Sequence, residues 1–527
     1  MYKILVSDAL AQEGLDILKS QKNFQVDVKT KLPPDEIKKI IKDYDALVVR
    51  SATQVSADII AAGTNLKIIG RAGVGVDNVD VEAASRQGII VMNAPSGNTV
   101  STAEHTISMI LALSRNIPQA SASLKNKKWE KSKFTGVELY GKTLGVVGVG
   151  RIGGEVAKRM RTFGMRVLAY DPYLLTERAK ELGAELVELE TLFKEADYIT
   201  VHVPLSEQTQ YMIGKEQFAM MKDGVRIINC ARGGIVDEKA LLEALKSKKV
   251  AGAALDVFEK EPAVDSPLLD LENVVATPHL GAATEEAQIS VAIDIAKQVA
   301  DALSGKGVRN AVNVPCVDPK TQEALKPYIL LGEKLGMLVA QLVEGAIAEV
   351  NIRYHGDIIS HDLSPVTIGI VKGMLTPVLQ SSVNYVNATF LAKERGIKIT
   401  ELKSSQLEDF ANLISVAVKA KDKTLEVWGT LFTNSELRLV KIENFHVETT
   451  PSGHMLVMHN LDKPGIIGQV GSILGANNIN IAAMTFGREK AGGDAITVLN
   501  IDSPASAKVL EELKKAKNIK DAKQIKL

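Results

Sequence analysis

The segment TLGVVGVGRIGGEVAKRM, Thr143–Met160, decides the fold. It opens with an apolar, β-prone run, passes through Gly148, Gly150 and Gly153, and continues with apolar residues at helical spacing. G-x-G-x-x-G spacing by itself arises often by chance, but between a strand and a helix it builds a dinucleotide site. Gly148 permits the tight turn, Gly150 lets backbone amides approach a pyrophosphate, and Gly153 lets the helix pack closely on the strand. The helix N-terminus adds free N–H groups and the positive end of its dipole. The next strand, RVLAYD, ends at Asp171, about twenty residues past the glycines, where a carboxylate accepts from both ribose hydroxyls and repels a 2′-phosphate. Pro172 and Tyr173 follow, with no arginine, so the cofactor expected is NAD rather than NADP. The bland alternative is a glycine-rich turn followed by an N-capping Asp.

Outward from this turn, short apolar strands recur at Arg166–Tyr170, Tyr198–Val201, Val225–Asn229, Gly252–Asp256 and Val274–Ala276. Helix patterns between them imply a parallel sheet covered on both faces. Residues 1 to 97 repeat the rhythm, with candidate strands Lys3–Ser7, Gln25–Val28, Ala46–Val49, Lys67–Gly70 and Ile89–Met92. A long apolar helix, Val100–Arg115, joins the two series, and an amphipathic helix spans Glu285–Leu303. NVPCVDP, Asn313–Pro319, carries two prolines and reads as a domain boundary. Residues 320–450 read as strand-rich, without a fingerprint. His454–Leu527 reads strand-helix-strand-strand-helix-strand, a ferredoxin-like order. The expected class is therefore α/β, with two doubly wound parallel sheets, an α+β region and a ferredoxin-like tail.

At 527 residues the chain is too long for one core and suggests three or four domains. Lys plus Arg number 63, as do Asp plus Glu, so no net field draws the chain to nucleic acid or an anionic membrane. The basic stretch Lys514–Lys526 is interrupted by Asn518, Asp521 and Gln524 and reads as a solvated helix end and edge strand. No apolar run approaches the roughly 20 residues that span a bilayer, and the N-terminus opens on a strand pattern rather than a secretory leader. Cys230 and Cys316 are too few for a disulfide framework or a metal cluster. A cytoplasmic protein with reduced thiols, no resident metal, and neither nucleic acid nor membrane as partner is expected.

Three segments place a reactive side chain just beyond an apolar strand: INCARGG (228–234), ALDVFEKEP (254–262) and VATPHLGAAT (275–284). Strand ends at the carboxyl edge of such a sheet border the cofactor crevice, so Arg232, Glu261 and His279 are expected to converge there. The set suits oxidation of a secondary alcohol. His279 switches protonation near neutral pH and can take the hydroxyl proton. Glu261 can orient the imidazole and favour its charged form, and Arg232 can grip a carboxylate bidentately. Singly, each has an ordinary alternative: a structural His between Pro and Leu, an Arg capping a turn, a surface Glu before Pro262. In the first series, Arg50 and Arg71 end strands, the amides of Gly73, Val74 and Gly75 can nest a carboxylate, and Asn98 lies at the presumed hinge. Their alternative is capping or surface ion pairing.

GVGRIGGEVAKRM, INCARGGIVDEKAL, ALDVFEKEP and TPHLGAAT together resemble the signatures of the D-isomer-specific 2-hydroxyacid dehydrogenases. MHNLDKPGIIGQVGSILGANNINIAAMTFGRE, residues 458–489, resembles an ACT domain. The arrangement is similar, over essentially the full chain, to the long members of that family, which insert an intervening domain before the tail. The resemblance implies that Arg232, Glu261 and His279 carry catalysis. It implies that Arg151, Ile152, Asp171, Cys230, Ala231, Asp256, Gly281 and Ala282 join Gly148, Gly150, Gly153, Arg232 and His279 around NAD, Asp256 facing the nicotinamide carboxamide. Residues 1–97 and 286–312 would form a flavodoxin-like substrate domain hinged to a Rossmann domain at 98–285. The intervening domain would span 320–450 and the ACT domain 454–527.

The substrate so implied is 3-phospho-D-glycerate, oxidised to 3-phosphooxypyruvate in the first step of L-serine biosynthesis. Arg50, Arg71, Gly73, Val74, Gly75 and Asn98 would line its cleft, with Arg50 and Arg71 near the phosphate. L-serine would be the effector, held by Asn460, Asp462 and Asn480 between ACT domains of different subunits of a homotetramer, although Asp462 stands where other branches carry Asn. One rival is a relative acting on glyoxylate, hydroxypyruvate or D-lactate, which would have no serine to sense. Others are a tail that serves only assembly, a non-catalytic NAD-sensing scaffold of the corepressor kind, and an amino-acid sensor that has lost its chemistry. The first of these last three stays open, since polar positions in such tails vary among relatives; the second would call for a long disordered tail or a peptide-binding cleft, of which the chain shows no signal; and the third is at odds with an intact Arg232, Glu261 and His279.

Overall fold

The structure is a computed structural model and describes residues 1–379, 383–406, 410–421, 423–433 and 435–527. Its first sheet holds β1 (Tyr2–Val6), β2 (Phe24–Val28), β3 (Ala46–Val49), β4 (Ile68–Arg71) and β5 (Ile90–Asn93), parallel and in the order β2-β1-β3-β4-β5. β3, ALVV, is buried at every position, as a strand covered on both faces must be. Helices Pro34–Ile40, Ala57–Ala62 and Val81–Gln87 cover one face through Ile37, Ile59, Ile60 and Ala84. The other is covered by Gln12–Lys19 and by the distant helix Glu285–Leu303, whose Val291, Ile295 and Val299 join Leu15 and Leu18. These two helices touch closely at Gly14, where a Cβ would stand 2.7 Å from Ala292 O. A helix from late in the sequence thus completes the first core.

The second sheet holds β6 (Thr143–Val147), β7 (Arg166–Tyr170), β8 (Glu185–Leu186), β9 (Tyr198–Val201), β10 (Val225–Asn229), β11 (Val250–Leu255) and β12 (Val274–Ala276). All are parallel, in the order β12-β11-β10-β9-β6-β7-β8. The direction of winding reverses between β6 and β9, the place where doubly wound sheets open a crevice. β8, absent from the sequence reading, is only two residues long and has no periodicity to detect. Helix Thr99–Arg115 leaves the first sheet and packs Ala103, Ile107 and Ile110 against Leu144 and Val146 of the second.

The third sheet is mixed. β13 (Ile347–Gly356), β14 (Lys398–Ser404), β15 (Asn412–Ala420), β16 (Lys423–Phe432), β17 (Glu436–Ile442) and β18 (Phe445–Thr449) lie in the order β14-β13-β15-β16-β17-β18, with only β13 and β14 parallel. The expectation of a strand-rich region missed its helices, above all Pro319–Leu342 and Ser364–Leu375. Both carry glycines that weaken a helical pattern. The structure shows their use: a Cβ on Gly336 would collide with Ile370 O, and one on Gly373 with Glu333 O. The two backbones cross in contact.

The last sheet, β19 (His454–Leu461), β20 (Ile481–Arg488), β21 (Asp494–Ile501) and β22 (Ile519–Lys526), is antiparallel in the order β20-β21-β19-β22. Helices Ile466–Ala476 and Ala507–Lys515 cover one face through Val470, Leu474, Val509 and Leu513. Met455, Val457, Ile496, Val498 and Ile525 on the other face merge into one core with Val350, Ile352, Leu335 and Val427 of the third sheet and its helices. The seam to the first sheet's layer is thinner. Asn384 Nδ2 donates to Gly88 O at 2.9 Å, and Arg86 pairs with Glu394 at 3.1 Å while its guanidinium lies 5.2 Å from the Phe390 ring centre. Among the described residues, no helix is long and apolar enough to cross a membrane.

Candidate active site and cofactor turn

The glycine turn follows β6 at the winding reversal. Gly148 has φ +87°, a left-handed conformation that favours glycine, and a Cβ on Gly153 would strike Gly148 O. Gly150 is different: nothing lies within 4 Å of where its Cβ would point. That open side faces the start of helix Arg151–Thr162, whose first residues are an exposed Arg151 and a half-buried Ile152. The arrangement fits a pyrophosphate on free helix amides. At the end of β7, Asp171 Oδ2 accepts the Val149 N–H and Oδ1 the Tyr173 N–H, both at 2.9 Å. The carboxylate fixes the turn and keeps further lone pairs for hydroxyls.

The sequence reading did not single out His202, which ends β9 under this turn. Its carbonyl lies 2.8 Å from a Cβ built on Gly148, and its Nε2 is 3.0 Å from Thr200 Oγ1. Burial pushes the imidazole down to about 4, so it is neutral near pH 7. Its signal was a lone His at a strand end, too common to read.

Past β10, buried Asn229 folds the next loop: Oδ1 accepts the Ala231 N–H at 3.0 Å and Nδ2 donates to Arg232 O at 2.8 Å. Cys230 faces the interior, and burial, with the nearby Asp256 charge, pushes its thiol up to about 12. It is a packing group rather than a nucleophile. Arg232 Nε donates to Asp77 Oδ2 at 3.0 Å, and a Cβ on Gly75 would collide with its Nη2. A Cβ on Gly233 would collide with Phe258 O, so this loop packs on the one that leads to Glu261.

His279 and Glu261, eighteen residues apart, meet: Nδ1 lies 2.8 Å from Glu261 Oε2. His279 holds φ +57°, rare for a side chain of its size, and its N–H is tied to Asp256 O at 2.9 Å. The Asp256 carboxylate is buried beneath the same loop, accepting from Leu280 and Gly281 N–H at 2.7 and 2.8 Å. Its oxygens thereby hold the loop.

The pair opens on a cleft of about 730 Å³, shared by Arg50, Arg71, Gly73, Ala282, Glu261 and His279. Arg232, Val74, Gly75 and Asn98 lie outside its lining. Arg71 has its Nε buried without a partner. Burial, then the like charges of Arg232 and Arg50, push its guanidinium down to about 10. Asp8 accepts the Arg50 N–H at 2.6 Å and Asn78 donates to Arg50 O at 2.7 Å, so that loop is held by residues the sequence did not flag. Asn93 Nδ2 holds Val74 O at 2.5 Å. Asn98 caps helix Thr99–Arg115, with its Oδ1 buried and unpartnered.

The effector candidates are spread out. Asn460 is buried, its Oδ1 accepting from Thr497 at 2.8 Å. Asp462 Oδ2 accepts from Arg488 at 2.9 Å and Gly492 N–H at 3.0 Å. Asn480 donates to Asp502 at 2.7 Å. In the β19–β21 register Leu461 faces Asp494 whereas His454 faces Ile501, so Asp462 and Asn480 mark opposite ends of the sheet. One chain cannot close both around a small molecule.

Residues 107–281 match the model of the D-isomer specific 2-hydroxyacid dehydrogenase NAD-binding domain, 324–443 that of the D-3-phosphoglycerate dehydrogenase intervening domain, and 454–518 that of the ACT domain. Fold and site thus define an NAD-dependent dehydrogenase. A D-3-phosphoglycerate dehydrogenase of Synechocystis sp. is 48% identical over 100% of this chain and 95% of its own length. One of Archaeoglobus fulgidus is 47% identical over 100% of both chains. The NAD+-bound 3-phosphoglycerate dehydrogenase of Entamoeba histolytica, 31% identical, superposes with a TM-score of 0.51 over 59% of this chain and 98% of that one. The D-lactate dehydrogenase of Aquifex aeolicus, solved with NAD and lactic acid, is 32% identical, with a TM-score of 0.52 over 60% of this chain and 100% of that one. The chain belongs to the D-3-phosphoglycerate dehydrogenase family.

Proposed function

We propose that this dehydrogenase oxidises 3-phospho-D-glycerate to 3-phosphooxypyruvate with NAD+, opening the route to L-serine. The observation that carries the reading is Arg71, a half-buried guanidinium whose Nε is buried and unpartnered, crowded by Arg50 and Arg232 and facing the cleft of the His279–Glu261 pair. Such a cluster, three guanidiniums against the carboxylates of Asp77 and Asp8, suits a substrate with a carboxylate and a phosphate better than a singly charged acid such as D-lactate. NAD+ supplies the hydride acceptor when bound, and the residues around the glycine turn are suited to hold its pyrophosphate and adenosine ribose. Residues 1–97 with 286–312 act as one substrate domain that closes on 98–285.

Glu261 Oε2 accepts the Nδ1 proton of His279, which leaves the Nε2 lone pair free to take the proton of the C2 hydroxyl. Glu261 then balances the imidazolium. Arg232 exchanges Asp77 for the substrate carboxylate and polarises the developing carbonyl. Arg50 and Arg71 take the phosphate, and the amides of Gly73, Val74 and Gly75 border it. L-serine acts as an effector between ACT domains of two subunits of a homotetramer, a reading favoured by the opposite placement of Asp462 and Asn480 in one chain. Both cysteines are free, which suits the cytoplasm.

The test is NADH formation from a panel of D-2-hydroxy acids, with and without serine, on the natural protein and on His279→Ala. 3-Phosphoglycerate should give the highest kcat/KM, and His279→Ala should lose about 10²- to 10⁴-fold in kcat while still binding NADH. Faster turnover of D-lactate would overturn the substrate. Parallel loss of NADH binding would overturn the role of His279, and indifference to serine would remove the effector.

A further inference from the structure

Asp256 is 1% exposed, and among the described residues no lysine or arginine pairs with it. Its Oδ1 accepts the Thr277 hydroxyl at 2.6 Å and the Leu280 N–H at 2.7 Å, and its Oδ2 the Gly281 N–H at 2.8 Å. His105 also reaches this carboxylate. Its Nε2 lies 3.2 Å from Asp256 Oδ1 and 3.2 Å from Thr277 Oγ1. The Thr277 proton is committed to Asp256, so both atoms present lone pairs to the imidazole, and Nε2 must carry the hydrogen. Burial raises the Asp256 carboxyl, but the bonds from His105 and Thr277 more than offset it and keep the group charged.

His105 stands on helix Thr99–Arg115, which spans from the first sheet to the second. Earlier on the same face, the Ser101 and Thr102 hydroxyls donate to Gly281 O at 2.8 and 3.1 Å. His105 follows one turn later and Met109 after it, with Sδ 3.8 Å from Thr277 Oγ1. Positions 101, 102, 105 and 109 share a helix face, and that face grips both ends of the loop from Thr277 to Gly281. Between those ends sits His279, whose N–H hangs on Asp256 O.

We propose that His105 is a positioning residue for hydride transfer: its Nε2–H, given to the Asp256–Thr277 pair, ties the hinge helix to the loop and holds His279 against the cleft. The inference rests on His279 being the base. His105 itself lies outside the lining of the cleft. Its effect passes through the loop, where a displacement of about 1 Å costs up to about 100-fold in rate.

The experiment compares His105→Leu, which removes the donor, with His105→Gln, which keeps one at similar reach. Thermal melts, kcat, and KM for NAD+ and for 3-phosphoglycerate are measured on each full-length enzyme. His105→Leu should lose about 10- to 100-fold in kcat with the KM for the hydroxy acid little changed, and His105→Gln should recover most of that loss. Unchanged turnover in the leucine variant, or a folded glutamine variant no better than leucine, would overturn the proposal. Should the leucine variant not fold, His105→Asn, whose amide falls one methylene short, takes its place with the same expectations. His279→Ala assayed alongside separates the two readings. Turnover surviving there removes the base assignment, whereas turnover lost there but intact in His105→Leu removes only this inference.

Discussion

In the catalytic half, the reacting side chains stand past the ends of parallel strands, and at the cleft Arg71 Nε is buried without a partner. In the regulatory half, the candidate effector side chains are all engaged within the chain, Asn460 with Thr497, Asp462 with Arg488, and Asn480 with Asp502. The cores differ in the same sense. The catalytic half keeps separate cores on the faces of its two sheets, joined by helix Thr99–Arg115 and the returning helix Glu285–Leu303. The regulatory half runs one core through both of its sheets. A buried polar atom without a partner costs about 1–3 kcal/mol, a cost that an anion entering the cleft would offset at Arg71. The first half sets a charged cleft between separate cores, and the second shares one core across two sheets.

The strongest challenge to that contrast is Met455→Ala, in the shared core. It should cost about 2–5 kcal/mol and raise hydrogen exchange in β15 and β21 together, leaving β6 and β10 protected. Loosening confined to β21 would mean that the third and fourth sheets are separate blocks after all. A weaker effect sharpens the contrast from the catalytic side. The His202 pKa falls from 6.5 to about 4 on folding, so the folded state resists protonation. Stability from this group is fully present above pH 6.5 and is lost as pH falls toward 4. Exchange protection around the glycine turn should therefore decline across that window, and His202→Asn should flatten the decline. An unaltered pH slope in the variant would show that other groups govern it. The smallest effect belongs to the seam. Arg86 and Glu394 are both largely exposed, so Arg86→Ala should cost less than about 1 kcal/mol, loosen only helix Ala388–Glu394, and leave kcat alone. A fall in kcat would show that the halves are coupled there.

Legibility followed the range of the interactions. Glu285–Leu303 was readable to the residue, because a long amphipathic helix announces itself locally and Thr284 caps it. The glycine turn and Asp171 were readable because strand, turn and helix adjoin in sequence. Helices Pro319–Leu342 and Ser364–Leu375 were not. Gly336 and Gly373 lower local helix propensity, and the crossing that they permit lies in another part of the chain. Asn229, His202, Asp8 and His105 were likewise illegible, since each acts through a partner that the sequence leaves unnamed.

The sequence by itself determined the alternation of strands and helices in the two parallel sheets and the tail, the dinucleotide turn and the residue types the chemistry requires, because periodicity and turn stereochemistry act over a few residues. Only the tertiary structure decided that His279 meets Glu261, that Arg71 sits half-buried beside Arg232 and Arg50, and that Asp462 and Asn480 stand apart. Those facts depend on parallel strands aligning their ends across the sheet and on burial removing water from a charge, and neither is encoded at any single position.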